Sequence, residues 1–494
     1  MLLSMPARYV DWPGRGALLV LGLAGCISAR ARADDERLVL MREPTPYTDV
    51  IDAAEPHDRF DLNAHLGYER SVDRGVIQRE HTEQGERRRS SVANSEHKRS
   101  QLMLGVDVGL WKDMMAFARV PLVLSDDRSV SLLSGQQAAR GGTLLTDPGD
   151  FGGGSSTLFS LPTDSPTRAG FDYLGLGGAV ALTNQERKPW LPTWLVSVEG
   201  RRAIGGLMRP CKVGDNGPVC GMPSGQDGDF SASLPASSGV SRGVSAFALE
   251  TRVSKRFRYF EPYAGLGALV EWASSARKFF QPGGDLKGYA QKAPGRQIMA
   301  TLGTEFIPWE HKGRFQRVAI DARLGATYFT RGRDYSVLYD ALGTSSHGAL
   351  ARPNYEGVRS FDAEADADAQ RSVCSDANDS DCYVGKRVPF NGLTDVGSRV
   401  RYGGRLGLDI RAARYVRFAF GTGLQWVTSH TLTGADACNG DENSGARSTS
   451  TTGSSCDGHP SNPAHRPTID LPGRRFWMTS EFIFDVYASA TAQF

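Results

Sequence analysis

The sequence predicts an all-β protein, an up-and-down antiparallel transmembrane β-barrel of about twelve strands with long extracellular loops and short periplasmic turns. Three observations carry that expectation. Alternating apolar and polar residues recur along the chain, and a period of two marks strands whose faces meet different media. The connections between these segments alternate between long and short, as in membrane barrels. The last segment runs out to Phe494 as F-I-F-D-V-Y-A-S-A-T-A-Q-F, with Phe482, Phe484, Val486, Ala488, Ala490 and Ala492 on one face. A membrane strand needs about 9–11 residues of such alternation.

The N-terminus reads as an export signal. Arg8 and Arg15 precede the apolar run A-L-L-V-L-G-L-A-G at 17–25, and Ala31-Arg32-Ala33 supplies a small-x-small cleavage site. Residues 1–33 are therefore expected to be a signal peptide cleaved after Ala33, although L-A-G-C at 23–26 leaves lipidation at Cys26 as a second reading. A short periplasmic segment, 34–57, follows; it is too small for a plug domain, and 58–494 form the barrel. Cleavage removes four arginines and one aspartate, taking the formal charge from +2 to −1. No basic excess remains, so nucleic acid is not an expected partner. Hydrophobic content of 40% suits a barrel, in which only every second strand residue is apolar.

Twelve alternating segments follow, at 60–69, 102–110, 114–124, 171–183, 193–204, 244–256, 262–273, 296–307, 316–329, 399–411, 415–429 and 475–494. The long connections are 70–99, 126–169, 205–242, 274–294, 331–398 and 430–473; the short ones include 112–113, 184–192 and 413–414. An even strand count returns the chain end to the periplasm. Trp111, Trp190, Trp194 and Trp309 fall at short-turn ends, and Trp272, Trp426 and Trp477 at long-loop ends, as interfacial girdles require.

Six cysteines lie in three local pairs, Cys211/Cys220, Cys374/Cys382 and Cys438/Cys456, each within one long loop. Zinc knuckles need tighter spacing or clustered histidines, so disulfides formed in an oxidising compartment are expected. The acidic stretches at 364–368, 374–382 and 441–443 hold only fragments of a calcium loop and read as solvated charge. No metal or cofactor is expected.

With the apolar rows facing lipid, the inward rows carry Glu199, Arg201, Glu250, Arg252, Glu271, Glu305, Asp321, Arg323, Arg401, Arg405, Asp409, Arg411, Arg417, Glu481 and Asp485. Facing hydrocarbon, such charges would cost about 2–4 kcal/mol each near the midplane. They either line water or pair with one another. Arg401, Arg405 and Arg411 share one face, with Gly403 and Gly407 leaving room beside them and Asp409, Glu481 and Asp485 as counter-charges. Twelve strands lie between a filled barrel and an open porin. A narrow polar channel for a small solute is the expected function; a closed barrel displaying stapled loops to a surface partner is the alternative.

A lipid hydrolase is the third reading and an enzyme is not expected. His65 is the one histidine within a segment, and no serine is an evident partner. G-V-S-R-G at 239–243 matches a nucleophile elbow in letters but lacks a helix after the serine.

The terminal Phe494, with its alternating apolar residues, resembles the C-terminal assembly signal of Gram-negative outer-membrane barrels. More narrowly, G-L-W-K-D-M-M-A-F-A-R-V-P-L-V-L (109–124), L-G-L-G-G-A-V-A-L (174–182) and P-T-W-L-V-S-V-E-G (192–200) resemble putative transport barrels, distantly those of the meta-pathway phenol-degradation type. That likeness covers less than a third of the chain and includes no catalytic motif. The resemblance implies residence in a Gram-negative outer membrane, with outer-membrane lipid, the barrel-assembly machinery and a small-molecule solute as partners.

Overall fold

Backbone N–H and C=O groups have no water to bond in a bilayer core, so strands can cross it only in a sheet that closes on itself. This chain forms such a sheet. The computed structural model describes residues 45–51, 61–134, 144–146, 157–214, 217–221, 238–351, 353–355, 387–413, 415–441, 456 and 459–494. Its barrel strands are β1 (Leu62–Glu83), β2 (Glu86–Trp111), β3 (Met114–Leu132), β4 (Tyr173–Thr183), β5 (Thr193–Ala203) and β6 (Val244–Ser254). They continue as β7 (Phe260–Ala273), β8 (Gln297–His311), β9 (Gln316–Phe329), β10 (Arg399–Ala413), β11 (Val416–Val427) and β12 (Phe476–Gln493). Each strand pairs antiparallel with the next, and β1 pairs with β12 from Asn63↔Gln493 to Arg79↔Phe476, closing the barrel.

The outer face is an apolar belt. Leu66, Leu176, Leu266, Leu324, Leu406 and Phe484 are all exposed, on six different strands. An exposed apolar surface that encircles a protein marks a membrane contact. Trp111, Trp190 and Trp309 are exposed at the short-turn end, and Trp272 and Trp426 toward the other.

The first expected loop, 70–99, is instead an extension of the wall. β1 and β2 stay in register through Glu83↔Glu86 and turn at Gln84–Gly85, both at positive φ (55° and 83°), as two-residue hairpins prefer. Past Tyr68 the outward row of this hairpin carries Arg70, Arg74, Lys98 and Glu96. The outward apolar row therefore stops although the strand continues.

The long connections pack into a cap within that taller wall. Ile77, Val92 and Phe476 of the wall meet Leu338, Leu342 and Ile469 of the loops in one buried cluster. Disulfides Cys211–Cys220 and Cys438–Cys456 are formed, and Cys374 and Cys382 lie outside the described residues. Ser241, the serine of the elbow-like motif, is buried just before β6, so a strand follows it rather than a helix.

Candidate functional site

The pleat turns every odd-numbered residue of β10, Arg399 to Arg411, away from the exposed row of Tyr402, Leu406 and Leu408. The same alternation places all the charged residues singled out above on the inner face. They form two levels.

At mid-height partly exposed guanidiniums pair with carboxylates that range from partly exposed to buried. Arg405 Nη2 lies 3.0 Å from Asp485 Oδ1 and 3.2 Å from Glu69 Oε1, so one guanidinium spans β10, β12 and β1 across the closing seam. Arg201 pairs with Glu199 at 2.8 Å and Arg323 with Asp321 at 3.2 Å; Arg252 pairs with Glu250. These last three are same-strand pairs two residues apart, an acid-x-Arg repeat visible in the sequence as E-G-R, D-A-R and E-T-R. Glu481 is buried beside Asp73, Arg399 and Arg401, and the Arg401 guanidinium lies 5.2 Å from the Phe329 ring centre. Glu271 pairs with Arg242 at the cap.

At the periplasmic level three arginines, Arg317, Arg411 and Arg417, occupy adjacent register positions on β9, β10 and β11. Three clustered guanidiniums out of bulk water need counter-charge. Glu305 pairs with Arg317, and Asp409 lies 2.8 Å from Arg417. A third carboxylate, Asp49, stands 3.8 Å from Arg417 and comes from outside the barrel wall.

Asp49 belongs to the N-terminal segment, whose described residues, 45–51, lie within the barrel rather than trailing from it. Thr45 donates its backbone N–H to Glu261 Oε1 (3.0 Å) and its hydroxyl to Glu305 Oε1 (2.8 Å). The Thr48 and Ser254 hydroxyls are 2.6 Å apart. The Tyr47 ring centre lies 4.6 Å from that of Tyr263, the two planes tilted by 35°, with the Arg252 and Arg323 guanidiniums 5.1 and 5.2 Å from the Tyr47 centre. Gly265 makes the socket, because a Cβ there would collide with the Tyr47 hydroxyl. Val50 and Ile51 pack on the cluster of Met115, Phe117 and Leu195. Seven residues thus tie together inner faces from β3 to β11.

His65 does have partners: its Nδ1 lies 2.9 Å from Thr491 Oγ1 and its Nε2 2.5 Å from Asp107 Oδ2. All three are on inner rows, away from the lipid boundary where a lipid hydrolase would work. In the cap, Arg168 pairs with Asp340 at 2.5 Å and Arg333 with Asp395 at 3.4 Å, all four buried. Burial pushes the Asp395 carboxyl up to about 6, against the pull of Arg333. It also lowers Arg466 to about 10. No group of metal-ligating side chains occurs among the described residues.

Sequence reasoning missed Glu69, Glu261 and Arg317, although their places on inner rows were readable once the strands were known. It also missed Thr45, Tyr47 and Asp49, which no periodicity marks.

A closed antiparallel barrel with an apolar outer belt, aromatic girdles and a charged interior defines the chain as an outer-membrane β-barrel. No protein-family model and no curated protein matches the chain. Among solved structures it is similar to the COG4313 outer membrane channel of Pseudomonas putida F1, at 9% identity and a TM-score of 0.35, over 92% of this chain and 99% of that one. It is also similar to a Pseudomonas aeruginosa FadL homologue, at 8% identity and a TM-score of 0.32, over 92% and 93%. A third is the outer membrane protease OmpT of Escherichia coli, at 8% identity and a TM-score of 0.23, over 88% and 97%. Channel and protease both occur in that set, so the functional reading rests on the lumen of this chain alone.

Proposed function

We propose that the barrel is a narrow channel for a small polar solute, with the 45–51 segment as its periplasmic gate. The mid-height ring supports this reading. Arg405, Glu69, Arg323 and Arg201 keep 36%, 35%, 32% and 30% of their side-chain surface inside a closed wall. Surface there meets water, not lipid, and opposite charges facing water can replace a solute's hydration shell. The gate reading rests on the contacts of Thr45, Tyr47 and Asp49, which are polar, aromatic and ionic rather than a continuous apolar core. Such contacts hold a segment in place yet can exchange with water.

The closed-lumen reading draws on a different observation, the buried apolar cap with its ion pairs Arg168–Asp340 and Arg333–Asp395. Proteoliposome swelling separates the two. Liposomes carrying the full chain, and others carrying a variant without 45–51, are placed in isotonic small sugars and amino acids. Solute entry that quickens in the variant supports the channel. Swelling no faster than protein-free liposomes in both overturns it in favour of the closed barrel.

A further inference from the structure

The outer wall of the first hairpin changes chemistry abruptly along its length. The outward row of β1 reads Leu66, Tyr68, Arg70, Val72, Arg74, and register with β2 places Leu104 opposite Leu66, Ser100 opposite Arg70, Lys98 opposite Val72 and Glu96 opposite Arg74. Leu66, Tyr68 and Leu104 are exposed and end the apolar row of this hairpin, while on its β12 side the exposed Val486, Phe484 and Phe482 lie opposite Arg70, Val72 and Arg74. Two residues further from the periplasm the same face turns cationic.

Arg70 is exposed, and the Arg74 and Lys98 side chains keep 57% and 42% of their surface. Lys98 sits diagonally between the two arginines, and diagonal ladder neighbours are about 7–8 Å apart. Three long cationic side chains at that spacing can converge on one multivalent anion. Two acids lie among them: Glu96 is 2.5 Å from Arg74 Nη2 and 2.5 Å from Lys98 Nζ, and Asp127 of β3 stands opposite Lys98 in register. Exposed pairs of this kind contribute about 0–1 kcal/mol to stability, so folding alone gives little reason for the cluster. Arginine forks match phosphate oxygens in pairs. The hairpin tip lies at the end opposite the short turns, so the cluster borders the outer leaflet.

We propose that this face binds the phosphate of a phosphorylated lipid in the outer leaflet. The acyl chains lie along Leu66, Tyr68 and Leu104, and Arg70, Arg74 and Lys98 hold the phosphate oxygens. A free phosphate would satisfy the cations but not the apolar strip below them. The carboxylate of Glu96 competes with the lipid for two of the three cations.

The test is native mass spectrometry of the full barrel with bisphosphorylated lipid A, with its dephosphorylated form, and with inorganic phosphate as competitor. The wild-type chain is expected to retain lipid A and to release it at least tenfold more readily after Arg70→Gln, Arg74→Gln and Lys98→Gln together. Glu96→Gln is expected to tighten retention, a gain that damage to the fold would not produce. A gel shift on boiling checks that each variant is folded; should the triple variant fail to fold, Glu96→Gln carries the test. Equal retention of the dephosphorylated lipid, full displacement by millimolar phosphate, or unchanged binding in a folded triple variant or in Glu96→Gln would each overturn the proposal.

Discussion

Arg405 on β10 reaches past β11 to Asp485 on β12, with 3.0 Å between Nη2 and Oδ1. Gly423, on the strand between, keeps the passage open, since a Cβ there would meet the Asp485 carboxylate and the Arg405 stem. Asp485 is almost fully buried, whereas Arg405 keeps 36% of its side-chain surface. Among the described residues, removing the arginine therefore leaves a buried carboxylate with Gln425 as its remaining side-chain hydrogen-bond donor, at 3.2 Å. Breaking a fully buried pair costs about 3–5 kcal/mol, and the partial exposure of Arg405 brings the expected loss to about 1–3 kcal/mol. Arg405→Ser should lower the temperature at which the gel mobility of the folded barrel is lost. It should also move the lumen toward cations, as a fixed positive charge leaves the ring. An unchanged melting temperature with unchanged selectivity would deny this pair any role.

The Tyr47 socket can be attacked from either side. Gly265→Val fills it, and Tyr47→Ala empties it. Both changes should weaken the hold on 45–51 and make the segment more accessible to a protease added on the periplasmic side. The prediction fails if Gly265→Val leaves the segment as protected as in the wild type.

How far the sequence could be read differs from one element to another. Strands β4 to β12 were legible because lipid on one face and lumen on the other impose period two, as along Phe482 to Ala492. The outer parts of β1 and β2 were not, because Arg74, Glu80, Arg87 and Arg89 stand where no apolar medium selects one face. The cap was hidden for another reason: Leu338, Leu342 and Ile469 are scattered through Gly- and Ser-rich connections and meet only in space. The inward charges followed from the pleat, but their pairing partners did not, since Arg405–Glu69 joins residues 336 positions apart. Thr45–Glu305, at 260, is equally remote.

The cap disulfides close loops of 9 and 18 residues. Loop closure on this scale contributes about 3 kcal/mol in a chain-entropy account. Peptide mapping without reductant should recover 211–220 and 438–456, with 374–382 as the third local pair. A crossed pairing would contradict the local stapling of each loop.

Asp395 makes the cap sensitive to acid in a defined direction. Its carboxyl is raised from 3.8 to about 6 by burial, so the folded cap binds a proton more readily than the opened one. Stability from this group is therefore greatest below about pH 4 and declines as pH rises toward 6. The protection factors of cap amides near Asp395, which divide out the base-catalysed rise of intrinsic exchange, should fall between those values in the wild type and stay level in Asp395→Asn. Protection that rises with pH across the same window would contradict the sign.

The central claim is that a wet, charged lumen is closed from the periplasm by 45–51, and single-channel recording in planar bilayers tests it most directly. The full chain should show brief, small openings. A variant lacking 45–51 should show a sustained larger conductance, and a T-P-Y-T-D-V-I peptide should block it from the periplasmic side only. Conductance that is the same with and without the segment, or block from both sides alike, would contradict the account.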